Sequence, residues 1–195
     1  MNASEINRPL MIVVDGTRAT GKSTLARQIA DELSLPSFSK DALKETLYDA
    51  LVDGHETKAS PEMSEKINTL ALSTLISIAN ELVSRNVGIV LEADFRPEVG
   101  KDLFAPFMKS ATLRQIHCKV QERELENRES QRQQEGDRHP VHVDDLEKVK
   151  TQIHAGDFEP IPVPIPLLPV DSTNGFHPPL EEIVTFARTG HPSAD

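Results

Sequence analysis

The chain has 195 residues, and 21 Lys plus Arg stand against 31 Asp plus Glu, so its formal net charge of −10 argues against a protein built to coat nucleic acid. A single cysteine, Cys118, excludes an internal disulfide framework and a cysteine-rich zinc site, and aromatics at 4% leave little for a base-stacking platform. The longest apolar runs fall short of the roughly 20 residues a membrane helix needs, and the N-terminal segment lacks a secretory pattern, so the expectation is one cytoplasmic domain over 1–195 with no membrane partner.

Leu10 to Val14 (LMIVV) is a short apolar run turning at Asp15-Gly16, which reads as a buried parallel strand. Leu25, Ile29 and Leu33 then recur at four-residue spacing and Pro36 ends the pattern, predicting a helix from about Gly21 to Leu33. Pro36 to Ser39 is a second strand candidate, and Leu43, Leu47, Ala50 and Leu51 share a helical face up to Gly54, with Asp41 at the helix start. Ser60-Pro61 supplies an N-cap and first turn for the longest helix, which the apolar period carries to about Ser84.

Val87 to Leu91 predicts a third strand ending at Glu92-Ala93-Asp94, followed by a helix over Val99 to Lys109 and a strand over Thr112 to Val120. Gln121 to Gln134 is charged and helix-prone, and Asp144 to His154 is a further short helix. Prolines 160, 162, 164, 166 and 169 then forbid a helix, and Leu167 to Val170 reads as an edge strand because Pro169 cannot donate to a ladder. A last helix covers about Pro179 to Arg188. Strands alternating with helices five times predict an α/β three-layer sandwich with a mostly parallel five-stranded sheet, whose ligands bind at the carboxyl ends of the strands.

Residues 16 to 23, GTRATGKS, satisfy the phosphate-loop pattern G-x-x-x-x-G-K-[ST] between a strand and a helix, the context that gives the pattern meaning. Gly16 and Gly21 let backbone N–H groups turn inward, and the helix N-terminus adds positive potential. Lys22 would reach the β- and γ-phosphates and Ser23 would ligate Mg²⁺. Thr17, Arg18, Ala19, Thr20 and Thr24 complete the candidate nucleotide contacts, with Arg18 able to close over phosphate. The chain lacks the N/TKxD guanine-reading motif and the LSGGQ-like signature of transporter ATPases, and it is short for a ring ATPase, so ATP is the expected nucleotide.

The phosphate loop, FSKDALKETL at 38–47, LEADFRP at 91–97, the arginine-bearing helix ending in DRHPVH at 137–142 and PVDSTNG at 169–175 together resemble the P-loop kinases related to polynucleotide kinase, zeta toxin and chloramphenicol phosphotransferase. The resemblance covers most of the chain and implies the small-kinase type of P-loop fold with a helical lid at about 121–142. It implies that Asp41 accepts the proton of the attacking hydroxyl, a role for which a positioned carboxylate is suited; the alternative is that Asp41 N-caps its helix. Lys44 stands where those kinases hold substrate phosphate with an arginine, and as lysine it lacks the bidentate fork.

Glu92 stands where the family usually has aspartate near Mg²⁺ or the substrate hydroxyl, with Asp94 as the competing carboxylate, and Arg96 is a candidate substrate contact. Arg128 and Arg132 lie one helical turn apart, and the resemblance implies that one lies against adenine while the other stabilises the transferred phosphoryl, with Arg138 as a further clamp. The bland reading is a solvated helix, since Glu124 precedes Arg128 by four residues. Asp171 to Asn174 match the adenine-side loop. His139 and His142 lack the companions of a metal site, and Cys118 reads as core.

The expected activity is transfer of the γ-phosphate of ATP, with Mg²⁺, onto a hydroxyl of a small-molecule acceptor. The acceptor pocket is expected from residues 48–66 together with Arg96 to Phe107. Two rivals are a 5′-hydroxyl polynucleotide kinase, for which a chain at −10 offers little basic track, and an ATP-binding regulatory switch, which needs no hydroxyl-activating base.

Overall fold

Strand β1 (Leu10–Gly16) sends Met11 and Val13 to one face and Ile12 and Val14 to the other, all fully buried, as a strand covered on both sides requires. The computed structural model describes residues 8–52, 58–135, 138–143 and 146–192. In it β1 is the middle strand of a five-stranded sheet in the order β2-β3-β1-β4-β5, where β2 is Ser37–Ser39, β3 Ile89–Glu92, β4 Thr112–Lys119 and β5 Leu167–Asp171. Every pairing is parallel, and the register sets Val14 beside Glu92, Ser39 beside Glu92 and Gly16 beside Cys118. The ends of β1, β2 and β3 therefore converge on one carboxyl edge, at the point where the chain order reverses across β1.

Helices α1 (Lys22–Leu33) and α7 (Leu180–Thr189) cover one face, packing Leu25, Ile29, Ile183 and Phe186 against Ile12, Val14 and Ile116. Helices α3 (Pro61–Ser84) and α4 (Pro97–Phe104) cover the other, packing Leu75, Ala79, Val83 and Phe104 against Met11, Val13 and Leu91. Each such Leu, Ile or Phe removed from water contributes roughly 1.5–3 kcal/mol, which makes the two faces the main source of stability. Three layers result, as the alternation of elements predicts. Helices α2 (Lys40–Leu51), α5 (Glu122–Glu135) and α6 (Leu146–His154) complete the chain.

Three differences from expectation have local causes. The helix expected over Val99 to Lys109 starts at Pro97 and gives way at Ala105 to a 3₁₀ turn, Ala105–Met108, because Pro106 has no N–H for the α-helical ladder. Helix α3 is long and apolar enough to span a membrane by length and composition, which the short apolar runs do not suggest; in the fold it lies on the sheet through Leu75, Ala79 and Val83 and meets α2 through Ile67. Asp41 does not cap α2: Ser39 does, its hydroxyl accepting from Ala42 N at 3.5 Å. The edge position expected for Pro169 is observed, since β5 pairs with β4 alone.

Candidate functional site

The phosphate loop leaves β1 at Gly16, whose φ of 126° belongs to glycine and whose position admits no Cβ, because a Cβ there would collide with the carbonyl oxygen of Cys118. Beneath the turn the carboxylate of Asp15, wholly buried, accepts from Gln115 Nε2 at 2.7 Å and lies 2.9 Å from His117 Nδ1. This buried network fixes the loop's root to β4, and no sequence motif announces it. Gly21, at φ 75°, caps α1 without a side-chain bond, so the first N–H groups of the helix stay open to an anion, and the first turn holds no acidic residue to compete. Lys22 Nζ donates to Thr17 O at 2.9 Å and Thr20 Oγ1 to the same carbonyl at 2.8 Å, which folds the loop on itself around residues 17–22. Ala19 takes φ 58°, while Ser23 and Thr24 lie exposed on the first turn of α1.

Ser23 Oγ donates to Glu92 Oε2 at 3.2 Å, and Lys22 Nζ stands 3.7 Å from Glu92 Oε1. Glu92 is buried at the end of β3, while Asp94 turns the other way, onto Lys40. Between the two carboxylates, Glu92 is thus the one beside the phosphate loop. A hydroxyl and a carboxylate so placed are hard oxygen donors that suit Mg²⁺. Among the described residues no three His, Cys, Asp or Glu side chains form a metal cage.

Beside the loop lies a cavity of about 520 Å³, in the range of small-ligand sites. Its lining includes Asp41, Lys44, Asp94, Arg96 and Arg138. Asp41 opens into it. Burial opposes ionisation of Asp41, but Lys40, Lys22, His142 and Lys44 outweigh that and hold its carboxyl below the ordinary value. Lys40, which the sequence reading passed over, is the buried partner: it pairs with Asp94 and stands 3.6 Å from Asp41. Burial alone would discharge it, yet Asp94 and Asp41 keep its ammonium above the ordinary value.

Lys44 is no solvated surface residue. It is buried and donates to Ser64 Oγ at 2.9 Å, and Ser64 Oγ donates in turn to Val141 O at 2.8 Å. Burial and neighbouring Lys40 lower its pKa. Of the expected stretch of 48–66, in which 53–57 lie outside the described residues, Ser64 and Glu65 line the cavity; α3 continues the wall with Asn68, Thr69 and Ser73, and α6 adds Val149 and Gln152. The expected Arg96 side is present through Arg96, Val99 and Leu103.

The arginines of α5 divide. The Arg128 guanidinium donates to Ala19 O at 2.9 Å, Ser172 O at 2.6 Å, Thr173 O at 3.2 Å and Glu124 Oε1 at 2.9 Å. It clips the phosphate loop to the segment after β5. There Asp171 Oδ1 accepts from Thr173 N at 2.8 Å, bonds to Thr173 hold its carboxyl below the ordinary value, and Phe176 lies against Gly21. Arg132 is half-exposed and stands 3.5 Å from Glu129. His139 and His142 each pair with α2, with Asp49 at 3.0 Å and Glu45 at 2.8 Å, docking residues 138–143 on that helix. Cys118 is inert, its thiol pushed up to about 12 by burial.

The AAA domain family profile matches residues 11–155 of the chain. The chain belongs to the AAA domain family. A crystal structure of a proposed kinase from Chloroflexus aurantiacus shares 32% identity over 94% of this chain and 99% of that one, at a TM-score of 0.80. More remote likenesses, which speak to fold alone, are a gluconokinase from Sinorhizobium meliloti (20% identity, 94% and 92% covered, TM-score 0.54) and the Mycobacterium tuberculosis APS kinase solved with AMPPNP and APS (13%, 93% and 99%, TM-score 0.55). No curated protein matches the chain. The AAA domain here has the P-loop kinase-like architecture.

Proposed function

We propose that this AAA domain is an ATP-dependent phosphotransferase that moves the γ-phosphate onto a hydroxyl of a small acceptor in the 520 Å³ cavity. The observation that carries the reading is the position of Asp41, a carboxylate held below its ordinary pKa by neighbouring lysines and opening into a cavity whose lining includes Arg18 of the phosphate loop. Asp41 orients the acceptor hydroxyl and takes its proton late in transfer, while Lys40 and Lys44 keep it charged. Lys22, released from Thr17 O, serves the β- and γ-phosphates, and residues 16–24 supply the nucleotide contacts. Arg128 braces the adenine-side loop at Asp171 to Thr173, and Arg132 and Arg138 close the segment 121–142 over the phosphates as a lid.

Mg²⁺ would be held by Ser23 and, through water, by Glu92, and when bound it neutralises charge on the phosphates. The same cavity favours an acceptor carrying negative charge. Among the described residues it is lined by the cations Arg18, Lys40, Lys44, Arg96, Arg138 and Lys148 and by the carboxylates Asp41, Glu65 and Asp94, in a chain that is otherwise strongly acidic. The test is ADP release stimulated by a panel of sugar acids, phosphorylated polyols, neutral sugars, nucleosides and aminoglycosides. Anionic polyols should stimulate and cationic aminoglycosides should not. Nucleotide turnover unmoved by every acceptor, together with full activity in Asp41→Asn, would favour a regulatory switch instead.

A further inference from the structure

On α3 the hydroxyls of Thr69, Ser73 and Ser77 turn back to the carbonyl one helical turn before them, at 3.1, 2.9 and 2.9 Å, as short polar side chains in a helix ordinarily do. Ser64 breaks the pattern. Buried near the start of the same helix, it donates its one proton to Val141 O at 2.8 Å, 77 residues away, while accepting from Lys44 Nζ at 2.9 Å. The direction of both bonds is forced, since an ammonium can only donate and a carbonyl can only accept. Each side of this relay leads somewhere. Lys44 and Ser64 line the cavity that holds Asp41, and among the described residues Ser64 is the one hydrogen-bond partner of the Lys44 ammonium, a group with three donors. Burial and Lys40 press against the charge of Lys44, and an anion in the cavity would relieve both. On the other side, Val141 is wholly buried in a small core with Tyr48, Ala59 and Ile67, and Pro140 O accepts from Ala59 N at 3.0 Å, so residues 138–143 are anchored where α2 and α3 meet.

We propose that Ser64 is a positioning residue: it holds the Lys44 ammonium at the cavity wall for an anionic group of the acceptor and couples occupancy of that wall to the docking of residues 138–143. This rests on the anionic-acceptor reading of the cavity. A lysine carries a point charge on a flexible stem, so Lys44 needs a fixed partner to keep its place. The bonds to Lys44 and to Val141 are made by Ser64 in a single rotamer, and a contact that stabilises one of them stabilises the other. An anion that pins Lys44 therefore tightens the hold on Val141, and docking of the segment in turn readies Lys44 for the anion, as reciprocity between two linked sites requires. Ser64 acts through Lys44 and takes no part in phosphoryl transfer.

The probe is inorganic phosphate, titrated calorimetrically into the full chain with the phosphate loop filled by saturating AMPPNP, beside hydrogen exchange of the Val141 and His142 amides with and without phosphate. Wild type, Ser64→Ala, Ser64→Thr and Lys44→Met are compared. Ser64→Ala should weaken phosphate binding about tenfold while AMPPNP affinity stays within about threefold of wild type, the scale of a coupled pair in contact. It should also abolish the added protection that phosphate gives the two amides, and Ser64→Thr, which keeps the hydroxyl, should regain most of the affinity. Lys44→Met should weaken phosphate at least as much, and adding Ser64→Ala to it should cost little more, because the two side chains act as one unit. Unchanged phosphate affinity in Ser64→Ala, or phosphate-induced protection that survives it, overturns the proposal. Loss of basal amide protection with neither of the expected changes overturns it too, by reducing Ser64 to a structural latch. Lys44→Met separates the two levels. If it weakens phosphate while Ser64→Ala does not, only the role of Ser64 fails; if Lys44→Met binds phosphate as wild type does, the anionic-acceptor reading fails and takes the proposal with it.

Discussion

Ser23 and Glu92, 69 residues apart in sequence, share a hydrogen bond of 3.2 Å that ties the first turn of α1 to the end of β3. The bond exists because β3 lies beside β1 with Glu92 in register with Val14, two residues before the loop begins. Removing the charge of Glu92 while keeping its size should therefore weaken cation use more than nucleotide binding. Glu92→Gln is expected to shift the Mg²⁺ concentration for half-maximal turnover about tenfold upward and to lower kcat by about 10–100-fold, as for other outer-sphere carboxylates. Mg²⁺ titrations of turnover, beside ATP affinity measured without the metal, check this; a matched loss of ATP affinity would place Glu92 elsewhere in the mechanism.

Asp41→Asn keeps the shape of the cavity and removes the base. Acceptor phosphorylation should fall by about 10²–10⁴-fold with ATP affinity within threefold of wild type, roughly the scale of a general base. The sign of the pH dependence follows from the lowered pKa of Asp41: the ionised form is present above the ordinary value of 3.8 and is lost only as pH falls through a value lower still. A profile of kcat/KM should accordingly show no acidic limb from Asp41 above pH 3.8. An acidic limb below pH 6.5 that vanishes in His142→Asn belongs to His142.

Gly16→Ala should cost at least about 2 kcal/mol of stability, combining a disfavoured positive φ with a collision on the backbone of Cys118. Urea unfolding measures it. A cost near zero would mean that β4 yields locally, and the phosphate loop would then be less firmly rooted than the contact implies.

The docking of residues 138–143 on α2 should loosen in acid. Burial, reinforced by Lys44 and Arg138, lowers the His142 pKa despite Asp41 and Glu45, so between the ordinary value of 6.5 and the lower folded value the open segment binds a proton that the docked one refuses. Stability of the docked state rises with pH through that window and falls as pH drops. Hydrogen exchange of the His142 amide, which donates to His139 O at 3.0 Å, should show less protection at pH 5.5 than at 7.5 after correction for intrinsic rates. Equal protection at both values would remove His142 as the source.

What could be read in advance was local. The phosphate loop is contiguous, its glycines are forced by backbone conformation, and its setting between strand and helix is visible in the hydrophobic pattern. Asp41 was legible through its place just after β2, and Pro169 through its missing N–H. Lys40, Glu129 and the Asp15 network were not, because a charged residue in a polar stretch looks the same whether it faces water or a partner from another segment. Lys40 is buried only because Asp94 arrives from β3, and Glu129 only because Arg18 and Arg138 come from either side of it in sequence. Arg128 shows the converse: the spacing of Arg128 and Arg132 placed both on one face, but the backbone carbonyls of residues 19, 172 and 173 claim the first and leave the second to Glu129.

The polar positions of α3 in the cavity, Ser64, Asn68, Thr69 and Ser73, belong to one continuous helix anchored by its opposite apolar stripe, whereas the nucleotide contacts lie in a separate segment rooted on β1. Under the proposed phosphotransferase reading, acceptor recognition and phosphate handling are written in different stretches of chain, and substitutions along that single register are expected to change which acceptor is taken while leaving nucleotide binding as it is.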